Sequence, residues 1–125
     1  MTHDEVSEFE QLQAQLQSLC TETAALSRRK PDDAVNQFKL GLVNQVLERA
    51  NSILGESNRP FADFLRFDSD DIPTNSDVLL VLSQYLNCLE KLRADNTVEF
   101  ARQWYWVING ERSKIRTAPP RKLKY

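Results

Sequence analysis

Glycine, histidine and cysteine are scarce in this chain, and each scarcity closes off a class of chemistry. Its 125 residues include three glycines, Gly41, Gly55 and Gly110. They stand too far apart for a phosphate-cradling loop or a dinucleotide fingerprint, which need several glycines close together. The one histidine, His3, sits by the first residue, and no Ser/His/Asp or Cys/His arrangement can be built on it. The two cysteines, Cys20 and Cys88, have no CxxC spacing and no companion histidines. Neither a zinc site nor a disulfide framework is indicated, and both read as small buried hydrophobes. With no catalytic motif present, the chain is expected to be neither an enzyme nor a cofactor or metal carrier. Long apolar runs are missing too: nothing approaches the ~20 residues that span a bilayer. The opening MTHDEVSEFE is acidic where a secretory signal is basic and then apolar, so a cytoplasmic location is expected.

What is present is enough for one core. Hydrophobic residues make up 41% and aromatics 9% of the chain, in a length typical of a single domain. Residues 4–29 read as a helix whose apolar seam, Phe9, Leu12, Leu16, Leu19, Thr23 and Leu26, recurs at alternating steps of three and four. The seam is too short for an autonomous coiled coil, but it suggests a homodimer through this helix. Arg28, Arg29 and Lys30 complement its C-terminal dipole.

Pro31, with Asp32 and Asp33 behind it, suits the first turn of a second helix running to about Leu54. Its buried face is expected to hold Val35, Phe38, Leu42, Val46, Ala50 and Ile53, widened by Val43, Leu47 and Leu54, with Gly55 as the stop. Phe61, Phe64, Leu65 and Phe67 suggest a short, mostly buried helical turn. The polar DSDDIPTNSD, residues 68–77, is a loop whose Thr74, Asn75 and Ser76 are candidate N-caps. Its aspartates fail the spacing of a calcium loop: from Asp68 as position one, Ile72 falls at five, Pro73 at six and Leu79 at twelve. Residues 77–94 form the most apolar helix. Its start, Val78–Leu82, leaves no polar side, and its later half places Tyr85, Leu86, Leu89 and Leu92 inward and Ser83, Gln84, Glu90, Lys91 and Arg93 outward.

Two periodicities compete in residues 97–117. As a final helix, Asn96 and Glu99 make a capping box, and Phe100, Ala101, Trp104, Val107 and Ile108 form the buried stripe. As a β-hairpin, Val98, Phe100, Trp104, Trp106 and Ile108 alternate and lead into an Asn109-Gly110 turn. A lone hairpin is marginal in water, and residues 111–117 offer only Ile115 to a return strand, which favours the helix. The expected fold is therefore mostly α, an irregular bundle of four to five helices, with the hairpin as the alternative for its last element. A single helical domain would span residues 1–110, followed by a basic C-terminal tail, 111–125.

Charge is divided between those parts. Residues 1–110 carry 10 Lys/Arg against 17 Asp/Glu, net −7, and residues 111–125 carry 6 against 1, net +5. Large aromatics and cations together favour binding over catalysis. The expected function is a non-catalytic protein–protein interaction or assembly subunit. Its partner-binding residues are expected to be Tyr105, Trp106, Arg112, Lys114, Arg116, Arg121, Lys122 and Lys124. The alternative is a nucleic-acid-binding accessory protein acting through the basic tail.

Overall fold

A computed structural model describes residues 1–120. Three helices, α1 (His3–Arg29), α2 (Gln37–Asn58) and α3 (Asn75–Asp95), precede three strands, β1 (Thr97–Phe100), β2 (Gln103–Ile108) and β3 (Glu111–Thr117). The strands form an antiparallel meander in the order β1-β2-β3. The expected four-to-five-helix bundle is thus corrected to three helices with a small sheet.

Helix α1 opens with a capping box in which the Thr2 hydroxyl accepts from the Glu5 N–H and the Glu5 carboxylate accepts from the Thr2 N–H. Those bonds hold the Glu5 carboxyl below its usual range. Its buried stripe is Val6, Phe9, Leu12, Leu16, Cys20 and Ala24. The heptad seam is kept only as far as Leu16. A straight helix turns every 3.6 residues and drifts off a 3.5-residue repeat, so Leu19, Thr23 and Leu26 end at the edge of the core, half-buried.

The corner after α1 differs from expectation. Pro31 does not start the second helix, because residues 30–36 are clamped to Pro73 and the first residues of α3. The Asn75 N–H donates to the Asp33 carbonyl, the Ser76 N–H to Pro31 and the Val35 N–H to Pro73, and the Asn75 side chain donates to Lys30. These bonds satisfy the backbone of a turn at residues 31–33 and a short bridge between Ala34 and Thr74, and α2 begins only at Gln37, capped by the Asn36 side chain on the Lys39 N–H. The later start rotates the buried face to Leu40, Val43, Val46, Leu47, Ala50 and Leu54. Phe38 and Leu42, expected inside, are 76% and 40% exposed. Gly55 takes φ 69°, which ends the regular helix where a glycine tolerates that backbone.

The phenylalanine-rich segment is not helical. Its backbone is satisfied by side chains of α2: the Asn44 amide exchanges two hydrogen bonds of 2.9 Å with the backbone of Phe67, and Asn51 donates to the Leu65 carbonyl. Phe61, Phe64, Phe67 and Tyr85 form a chain of edge-to-face contacts with centroids 5.0–6.4 Å apart. The Tyr85 hydroxyl donates to Asn51 at 2.7 Å. Helix α3, opened by a Thr74/Asp77 capping box, runs through the core with Val78, Leu82, Tyr85, Leu86 and Leu89 buried, though Leu80 remains 60% exposed.

The last element folds as a sheet for reasons carried by its turns and its third strand. Ala101-Arg102 and Asn109-Gly110 all have positive φ, the backbone of two-residue hairpin turns whose twist suits paired strands. β1 supplies the partner that a lone hairpin lacks, and the inner face then packs on α1. Period two replaces the helical stripe: Trp106 and Ile108 are buried and Trp104 half-buried, whereas Phe100 is 54% exposed. Asn96 closes α3 through its N–H on the Arg93 carbonyl instead of opening a helix. Residues 111–117, expected as the root of a tail, are strand β3.

Candidate interaction surface

The two faces of the sheet carry different chemistry. Inward, the Trp106 ring meets Phe9 edge-on at 5.0 Å, and its indole N–H donates to the Glu10 carboxylate at 2.8 Å. The Thr117 hydroxyl donates to the same Glu10 oxygen at 2.6 Å. Arg93, 2% exposed, reaches Glu10 at 3.8 Å and the buried Glu90 at 3.2 Å, and lies over Phe9. One carboxylate from α1 therefore ties β2, β3 and α3 together. The sequence places Glu90 and Arg93 outward, yet both are buried. The available signal was their i, i+3 spacing with opposite sign, in step with Leu82, Leu86 and Leu89 on one stripe.

Outward, register sets the pattern. Val98 pairs with Tyr105 and Tyr105 with Arg116, Phe100 pairs with Gln103, and Val107 with Arg112. Directly opposed residues share a face, so Val98, Phe100, Tyr105 and Val107 lie beside Arg112 and Arg116. A bulge between Tyr105 and Val107 carries the exposed Lys114. The Arg112 guanidinium lies 3.9 Å from the Phe100 ring centroid and 5.4 Å from that of Tyr105, within the range of a cation–π contact. Between the first and last strand, with the residues up to 120, the chain holds Arg102, Arg112, Lys114 and Arg116 against Glu99 and Glu111, net +2. Residues 1–96 carry 9 Lys/Arg against 16 Asp/Glu, net −7. The outward face is thus an aromatic and cationic patch on an acidic body.

Of the residues expected to bind a partner, Tyr105, Arg112, Lys114 and Arg116 fall in this region. Trp106 does not: it is fully buried, because period two turns it to the core beside Glu10. Arg121, Lys122 and Lys124 lie outside the described residues. Phe100, assigned to the core from the sequence, belongs to the outward patch.

Other chemistry-bearing residues have local roles. Asp68 accepts from the Asp70 N–H, and Asp77 completes the α3 cap. Cys20 is buried, and burial pushes the thiol of half-buried Cys88 above its usual range. Among the described residues, no cluster of three or more His, Cys, Asp or Glu is placed to hold a metal ion, and no helix is long and apolar enough to cross a membrane. Comparison with protein-family models, curated proteins and solved structures returns no match.

Proposed function

We propose that this protein is a non-catalytic interaction subunit of the cytoplasm that docks an acidic surface of a partner protein on the outward face of its sheet. The observation that carries the reading is the exposed Phe100 with Arg112 stacked across it, contiguous with Tyr105. Arginine and aromatic side chains dominate the energy of protein interfaces, and an arginine already stacked loses little freedom on binding. Cations on this face would steer an acidic partner, and the net −7 body nearby would repel the dense, continuous charge of a nucleic acid more strongly than a local acidic patch on a protein.

Affinity capture under native conditions, with mass identification, tests this on the wild type and on a Phe100→Ser/Arg112→Ser double variant. Both residues are solvent-facing, so the variant is expected to fold. The wild type should retain a protein that the variant loses and that raised salt releases. Identical captured proteins for both chains would overturn the reading. So would tight binding of an oligonucleotide, single-stranded or duplex, at physiological salt, measured by anisotropy.

A further inference from the structure

The rotated register of α2 leaves a second surface, away from the sheet. Leu19, Thr23 and Leu26 of α1 face Phe38 and Leu42 of α2 across an apolar groove of about 270 Å³, floored by Val78 of α3. A neighbouring hollow of about 280 Å³, reaching Gln15 and Arg49, shares Leu19 and Leu42 with it, so the groove runs on between the two helices. Phe38, at 76%, is the most exposed large hydrophobic side chain among the described residues. Contiguous apolar surface of this kind on a soluble domain marks an interaction site.

We infer that a second copy of this chain fills the groove, forming a two-fold dimer in which Phe38 of each protomer enters the partner's groove. Three features favour that occupant. A knob and the hole that fits it lie side by side in one patch, as an isologous contact requires. The walls carry opposite charge, Glu22 on α1 and Lys39 on α2, so a two-fold axis that sets α1 against the partner's α2 pairs unlike charges twice. Gly41 shares the outward stripe with Phe38 and Leu42, and a Cβ placed there meets no atom within 4 Å. A glycine in the second turn of a helix with no neighbour of its own leaves room for another backbone to come close. The dimer uses none of the sheet residues, so it stands or falls separately from the docking reading above.

Sedimentation velocity of the purified chain tests it. The wild type should show dimer mass at roughly 10–100 µM, within the micromolar-to-picomolar range open to interfaces of ordinary size. Phe38→Glu and, independently, Gly41→Gln should sediment as folded monomers, since Phe38 is 76% exposed and a Cβ at Gly41 meets no atom within 4 Å. Glu22→Lys and Lys39→Glu should each weaken dimerisation by about three- to tenfold, counting two exposed pairs per dimer, and the two together should restore it. Monomer mass for the wild type throughout that range, a dimer indifferent to Phe38→Glu, or failure of the paired charge reversal would each overturn the inference.

Discussion

Two arginines lie over two phenylalanines on opposite sides of one small sheet. Arg93 sits 5.4 Å from the Phe9 ring, is 2% exposed and is gripped by the carboxylates of Glu90 and Glu10. Arg112 sits closer to its ring, at 3.9 Å on Phe100, yet faces solvent. Among the described residues Arg112 meets two rings and no carboxylate. The looser stack belongs to the structural network and the tighter one to the surface, so ring distance does not tell their roles apart. The surrounding carboxylates do: an arginine with its charge already paired inside the fold has nothing left for a partner, whereas one held only by aromatic faces presents an unpaired cation.

Removing each arginine should separate them most widely. Arg93→Ala strips the cation from beside two carboxylates, one of them buried, and is expected to cost about 3–5 kcal/mol, as breaking a buried pair does. Arg112→Ala should change stability by no more than about 1 kcal/mol, the size of an exposed cation–π contact. Urea denaturation of the two variants provides the check. Equal effects would erase the distinction between the faces.

That distinction was only half legible in the sequence. α1 and α3 were readable to within two residues at their ends because their apolar spacing, cap residues and flanking prolines agree. α2 was misjudged at its start, since nothing local to Pro31–Asn36 reveals that its backbone pairs with residues 73–76, more than thirty-five positions away. Its buried face then shifted, and Phe38 went from core to surface. In residues 97–117 the residue types fit both periods, and the decision lay in two turns with positive φ, only one of which, Asn109-Gly110, is recognisable from its residues. Ala101-Arg102 is not a pair that announces a tight turn. The partner-binding residues were partly legible because charge and aromatic content survive an error of period. Trp106 was lost to that error, since changing the period from 3.6 to 2 reverses which of two neighbouring side chains faces inward.

A smaller effect tests the apolar side of the core by pH. Burial raises the Tyr85 hydroxyl above its ordinary value of 10.0. A group whose folded pKa is raised contributes stability that is complete below the unfolded value and is lost as pH climbs through the folded one. The wild type should therefore lose stability as pH rises beyond the ordinary tyrosine range. The Cys88 thiol, raised by burial from an ordinary 9.0, adds a loss of the same sign that begins at lower pH. Tyr85→Phe should cost about 1 kcal/mol near neutrality through the lost hydrogen bond and show a shallower alkaline decline. Denaturation curves at neutral and alkaline pH measure both, and an equally steep decline in the variant would place the alkaline loss elsewhere.

The smallest expected effect concerns the outward stack itself. A double-mutant cycle of Phe100→Ala and Arg112→Ala isolates the ring–guanidinium contact from the loss of either side chain alone. Water competes for an exposed cation, so the coupling in the folded chain should be only about 0.5–1 kcal/mol. Once a partner covers the patch and expels that water, the same contact strengthens, to about 2 kcal/mol or more when desolvated. The cycle therefore gives a sharper reading when run twice, first by urea denaturation and then on affinity for a captured partner, with the second coupling expected to exceed the first. Equal couplings would mean that the stack stays wet in the complex and lies at its rim. A coupling above about 2 kcal/mol in the free chain would make Phe100 and Arg112 part of what holds the sheet together, and the two faces would no longer differ in kind.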